Sequence, residues 1–300
     1  MMIVLIVVIV LFFIVAMWLA TFVVRGGKRQ SVTEALEWQS KKYDTSFYNT
    51  LSKTDYTVSG YKGYILHVQF LKNPTPTNRY VIISHGYSDN RIGSLKYVQM
   101  YMELGFNCII YDLRGHGENE RAITTYGKLE SRDLISLIKD THSRYNDIEC
   151  LGLHGESLGA ATTITSLKYK PLVDFVVADC GFSDIDNVLR EGYRRAHLPD
   201  VLVDLANMGI KVLYHHSLEE MRPIDALSDN HLPILFLHGK ADIYITPDNS
   251  KRMAKATRGL SELCMIEGAG HAEGILKEPD IYRRHVSSFL KRCQENKKKN

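Results

Sequence analysis

The sequence predicts an α/β fold, a mostly parallel β-sheet with helices on both faces. Three observations predict it. Short unbroken apolar runs, over 80–83 and 175–178 for example, have the character of strands buried on both faces. Helix-length segments separate these runs, so strand and helix alternate from about residue 80 onward. Several runs end in loops rich in Gly, His, Ser and Asp, and open α/β sheets gather their reacting groups at those strand ends.

In chain order, residues 1–24 are almost wholly apolar, with Thr21 the sole polar side chain. A helix of that length extends about 36 Å, enough to cross a hydrocarbon core of about 30 Å with some tilt. Trp18 falls where an interfacial aromatic belongs, and Arg25, Lys28 and Arg29 follow at once. A cleaved signal peptide would bring a basic n-region, a shorter apolar run and a small-residue cleavage site, and the sequence offers no good version of these. The expectation is a retained single-pass anchor in the cell membrane. Positive charge after the helix and none before it favours a cytoplasmic domain. Cys108, Cys150, Cys180, Cys264 and Cys293 are odd in number, form no C-x-x-C and read as buried thiols, which agrees with that side.

Residues 25–54 read as a polar, helical juxtamembrane stalk, and the domain as 55–293. A hairpin is expected over 56–70, with Tyr64, Leu66, Val68 and Phe70 on one face and Gly60 and Gly63 bounding a turn. Strands are predicted over 80–83, 107–111, 175–178, 234–237 and 263–266, with another leading into residue 155. Helices are predicted over 91–104, 128–145, 160–168, 248–257 and 281–293. The segment 183–220 sits as a short helical cap, in which Val201, Leu202, Leu205 and Met208 either pack on the domain or line an acyl pocket. A basic tail, 294–300, ends the chain. Composition is ordinary for a globular protein, 45% hydrophobic and 24% charged, and a net charge of +3 gives no case for nucleic acid.

The chemistry centres on Gly155-Glu156-Ser157-Leu158-Gly159, placed between a strand and a helix. A chance G-x-S-x-G in a chain of this length has odds of about one in ten, so the context carries the weight. Strand–turn–helix is the setting of a nucleophile elbow, whose sharp turn leaves no room for side chains at the two glycines. The bland alternative is a helix cap at Ser157. A serine nucleophile needs a base and a carboxylate to orient it. Asp242 follows the 234–237 strand and His271 follows the next, giving the order Ser157, Asp242, His271. Asp179 is the rival acid. His85, His116, His154 and His238 read as structural, Glu156 as a partner of nearby backbone, and His215-His216 lacks a matching ligand cluster for a metal.

With these residues in place, the chain resembles the α/β-hydrolase superfamily over residues 56–290. The resemblance rests on His85-Gly86-Tyr87, the turn Asp112-x-Arg114-Gly115-His116-Gly117, the elbow, His238-Gly239-x-x-Asp242 and Gly270-His271. Within it the chain is most similar to membrane-anchored bacterial serine hydrolases of the esterase or lysophospholipase-like, Bem46-like kind. The resemblance implies Ser157 as nucleophile, His271 as base, Asp242 as its orienting acid, and the N–H groups of Tyr87 and Leu158 as oxyanion hole. It implies no cofactor and no metal, and an acyl ester or thioester substrate, small or lipid. The serine argues against the aspartate-dependent dehalogenase and epoxide-hydrolase branches. A serine peptidase or amidase with the same triad, and a non-catalytic membrane-bound module, are the competing readings. The large oligopeptidases carry an extra domain for which the region before residue 56 is too short.

Overall fold

The structure is a computed structural model that describes residues 1–25 and 30–297. Lys28, Arg29 and the tail lysines Lys298 and Lys299 lie outside the described residues.

The strands are β1 (Ser52–Ser59), β2 (Ile65–Lys72), β3 (Arg79–Ser84), β4 (Asn107–Tyr111), β5 (Cys150–Glu156), β6 (Phe175–Asp179), β7 (Ile234–Gly239) and β8 (Ser261–Ile266). They form one eight-stranded sheet in the order β1-β2-β4-β3-β5-β6-β7-β8. The β1–β2 hairpin and the β2–β4 pair are antiparallel, and every later pair is parallel. Residues 80–83, β4 and β6 are buried on both faces, as their continuous apolar character requires. The carboxyl ends of β3, β5, β7 and β8 therefore come together at one edge of the sheet.

The helices are α1 (Met2–Arg25), α2 (Val32–Ser40), α3 (Phe47–Thr50), α4 (Leu95–Glu103), α5 (Lys128–Arg144), α6 (Leu158–Ser166), α7 (Ile185–Arg195), α8 (Val201–Tyr214), α9 (Asp248–Ala256), α10 (Gly274–Lys277) and α11 (Pro279–Lys297). The chain has the α/β-hydrolase fold, with one N-terminal helix long and apolar enough to cross a membrane.

Two segments depart from the sequence-based expectations. The segment expected as a stalk lies on the domain: Ala35 and Gln39 of α2 are buried, and the Asn90 side chain donates to the carbonyls of Gln30 and Ser31, both at 3.1 Å. A capping box, Ser31 with Glu34, starts α2.

The cap is two helices, α7 and α8, and α8 is the partner of α1. Ala16, Leu19, Ala20, Val23 and Val24 form a buried stripe on α1, while every side chain from Met2 to Val15 is exposed. Small residues permit the approach: a Cβ on Gly209 of α8 would sit 2.3 Å from the Ala16 carbonyl oxygen. The Thr21 and Tyr214 hydroxyls are 3.1 Å apart, and Arg25 lies over the Tyr214 ring. These contacts fix α1 and α8 as parallel. Leu202, Leu205 and Met208 are half-buried and Val201 is exposed, and none of the four lines the cleft described below.

Candidate active site

Ser157 stands at the turn from β5 to α6 with φ 53° and ψ −111°, a conformation that an L-residue adopts only under constraint. The flanking glycines supply the constraint. A Cβ on Gly155 would lie 2.3 Å from the Gly159 carbonyl oxygen, and one on Gly159 would lie 2.1 Å from that of Ser84. The loop after β3 runs beside the serine, since a Cβ on Gly86 would be 3.7 Å from the Ser157 Cβ. Tyr87 and Leu158, whose N–H groups were expected to form an oxyanion hole, thus follow two neighbouring residues at the same spot.

The three residues drawn from separate loops meet. The Ser157 hydroxyl donates to His271 Nε2 at 2.9 Å, and His271 Nδ1–H donates to Asp242 Oδ2 at 2.7 Å. Asp242 is held from the other side as well, accepting from the N–H groups of Tyr244 and Ile245 at 2.9 and 3.0 Å. His238 Nε2, which donates to the Ile245 carbonyl, lies 3.3 Å from Asp242 Oδ2. Burial alone would raise the Asp242 pKa, but the contacts with His238 and His271 outweigh it and hold the carboxyl at about 2. Burial lowers the His271 pKa, and the Asp242 hydrogen bond and charge reverse this, leaving it above its ordinary value. A hydroxyl bonded to an imidazole that is itself bonded to an ionised carboxylate can give up its proton to the ring while the carboxylate stabilises the imidazolium.

Asp179, the rival acid, makes its hydrogen bonds elsewhere. Its carboxylate accepts from the Tyr97 and Tyr282 hydroxyls, both at 2.9 Å. Glu156 does not bond nearby backbone, as the sequence suggested. It pairs with Lys96 Nζ at 2.5 Å and accepts from the Tyr97 hydroxyl at 2.6 Å, with both ends of the ion pair buried. Lys96 also donates to the Ala272 carbonyl at 3.0 Å, so one buried ammonium ties the residue before Ser157 to the residue after His271. Sequence reasoning missed Lys96 because its partners lie 60 and 176 positions away (156 − 96 and 272 − 96), and a lysine in an amphipathic helix ordinarily reads as solvated. Three further histidines are engaged within the fold: His85 accepts from the Leu113 N–H, His116 lies 2.8 Å from the Arg114 carbonyl, and His154 packs against Tyr97 and Tyr101.

Cys180, Asp242 and His271 place possible ligand atoms within 4.8 Å of one another. The donor set suits a metal poorly. Both His271 nitrogens are already engaged, and burial, with the charge of Asp179, raises the Cys180 thiol pKa well above its ordinary value, disfavouring the thiolate that binds metals.

The serine opens into a cleft of 770 Å³. Tyr87, Val188, Tyr244 and Ile245 give it apolar walls, and Arg195 and Lys42 give it positive charge. Trp38 and Lys42 bring α2 and the residues just after it to the cleft wall, which an amphipathic helix expected as a stalk did not suggest.

A serine at a strained strand–helix turn, hydrogen-bonded to a loop histidine on a parallel sheet, defines an α/β-hydrolase-type site. Residues 93–297 match the prolyl oligopeptidase family, and the chain belongs to that family. It is 31% identical to YqkD of Bacillus subtilis (strain 168) over 249 residues, which span 81% of each chain. It is 22% identical over 251 residues to the (R)-3-hydroxydecanoyl-ACP:CoA transacylase of Pseudomonas aeruginosa, covering 69% of this chain and 79% of that protein. Among solved structures it superposes on the Pyrococcus furiosus esterase Pf2001 with a TM-score of 0.67 at 22% identity, covering 83% of this chain and 94% of the esterase. At that identity the likeness speaks for the fold.

Proposed function

We propose that this chain is a membrane-anchored serine hydrolase that cleaves carboxylic esters or thioesters through an acyl-enzyme. The observation that carries the reading is the bond from Ser157 to His271 Nε2, with the opposite ring nitrogen bonded to Asp242. In this reading Ser157 Oγ attacks the acyl carbonyl carbon as its proton passes to His271. The imidazolium returns that proton to the departing alcohol or thiol. Water, deprotonated by the same imidazole, then attacks the acyl–Ser157 ester and frees the acid. The N–H groups of Leu158 and Tyr87 donate to the oxyanion, and the loss of one such donor typically costs about 3–4 kcal/mol of transition-state stabilisation. A relative named for moving an acyl group between ACP and CoA, and a fold neighbour named an esterase, support acyl chemistry. The apolar, exposed stretch from Met2 to Val15 supports the anchor.

The test is fluorophosphonate labelling of the full chain in detergent, wild type beside Ser157→Ala. Labelling of wild type alone is expected, followed by turnover of p-nitrophenyl esters. Folded wild-type protein that takes no label would overturn the reading. A second reading, peptide or amide hydrolysis at the same serine, is favoured by the family to which the chain belongs. Hydrolysis of aminoacyl amides with no ester turnover would replace the first reading with the second.

A further inference from the structure

The packing of α1 leaves it short. Met2 to Val15 is 14 residues (15 − 2 + 1), about 21 Å of helix against a hydrocarbon core of about 30 Å. The missing length of about 9 Å is supplied only if the part of α1 already paired with α8 sinks into the bilayer too. That depth matches the roughly 5–10 Å to which an interfacial amphipathic helix buries its apolar face. The flanking surface suits such a position. Because α1 and α8 are parallel, the N-terminal end of α8 points the same way as the exposed half of α1. That end carries the exposed side chains Leu198 and Val201. The Arg195 side chain, at the end of α7, donates to the Tyr244 carbonyl at 3.0 Å and so joins this corner to the loop bearing Ile243 and Tyr244, which are 68% and 69% exposed. Tyr244 lines the cleft, with its ring 6.0 Å from the His271 ring. The charges of α8 are occupied elsewhere, Asp204 pairing with Arg190 and Lys211 with Glu219.

We propose that Leu198, Val201, Ile243 and Tyr244 form a rim that rests in the lipid surface, held there by α1, so that the Ser157 cleft opens onto the bilayer and draws its acyl substrate from it. This rests on the membrane-anchored hydrolase reading above and names the side from which the substrate arrives. A basic residue at the rim, Arg195, and another on the cleft wall, Lys42, suit the phosphate of a lipid headgroup beside the scissile acyl ester.

The experiment is depth-dependent quenching in phosphatidylcholine nanodiscs holding the full chain. Trp18 and Trp38 are the only tryptophans. Both are replaced by Phe, and Val201→Trp, Ile243→Trp or Leu172→Trp is added singly, with native Trp18 in a Trp38→Phe chain as the reference. Leu172, 75% exposed just before β6, lies at the far end of the sheet. Phosphatidylcholine brominated along its acyl chains is expected to quench the Val201→Trp and Ile243→Trp proteins to an extent comparable with the Trp18 reference and to leave the Leu172→Trp protein bright. If the two rim variants stay as bright as Leu172→Trp while Trp18 is quenched, the rim stands clear of the lipid and the proposal falls. If Trp18 also stays bright, the anchor itself is wrong and the proposal falls with it. Fluorophosphonate labelling of the unmutated protein in the same discs reports the serine chemistry independently of either result.

Discussion

The reactive chain of bonds is set by single atoms. With its pKa raised above the ordinary 6.5, the His271 imidazole becomes neutral, and able to take the Ser157 proton, only at higher pH. The expected profile of kcat/KM therefore falls on the acid side with an apparent pKa above 6.5. Asp242→Asn removes the charge that raises it, and activity is expected to drop about 10⁴-fold, measured with a soluble ester. The sign for stability is the opposite on the basic side. The His271 contribution is complete below pH 6.5 and fades as pH rises through the raised value. The Asp242 contribution is complete above 3.8 and fades as pH falls toward 2. At the elbow, Gly159→Ala forces a methyl group against the Ser84 carbonyl, a backbone group that cannot swing aside. A loss of about 1–3 kcal/mol is expected in urea unfolding, with weaker fluorophosphonate labelling. Ser157, Asp242 and His271 were legible in the sequence because each lies within five residues of the end of a strand whose apolar run is itself local. The Lys96–Glu156 pair was not, because nothing near residue 96 records what residue 156 needs.

Among the elements, α4 and α8 do more than their patterns suggest. Lys96 on α4 borders the Ser157 cleft with its side chain only 7% exposed, facing a glutamate 9% exposed. Lys96→Met strands that carboxylate and is expected to cost about 3–5 kcal/mol of stability. Lys96→Met with Glu156→Gln should recover most of it, a comparison that urea unfolding makes directly. Helix α8 packs a glycine onto α1, so Gly209→Val should wedge the pair apart. Faster amide exchange over residues 16–24, with the sheet unchanged, is the expected signature. The apolar character of α1 was plain in the sequence, but lipid and a protein partner ask for the same residues. The one local hint of a helix partner was the small-residue spacing Ala16-x-x-x-Ala20. The packing of α2 is hard to read from the sequence for a related reason: a polar helix with one buried face and a free helix in water differ by few residues.

For the whole molecule, α1 and the domain form one packed body. The Val24 and Val23 carbonyls at the end of α1 accept from the Thr124 N–H at 2.9 Å and the Tyr126 hydroxyl at 2.5 Å. The Tyr126 ring stacks on Tyr87, beside the serine. Removing residues 1–30 is therefore expected to disturb the domain itself. It uncovers the α8 surface around Gly209 and Tyr214 and leaves Tyr126 without its acceptor. A lower Tm in detergent than that of the full chain, together with slower fluorophosphonate labelling, is the expected result. Equal values would mean that α1 contributes nothing to the fold.

The pairing of α1 with α8 also has a history in time. Ala16 and Gly209 are 193 positions apart (209 − 16), and at about 5–20 residues per second a ribosome needs about 10–40 s to pass from one to the other. For that interval the first helix is made and its partner does not yet exist. Until then the stripe from Ala16 to Val24 has no α8 to cover it, and the contact that closes over it joins the beginning of the chain to a segment made long afterwards.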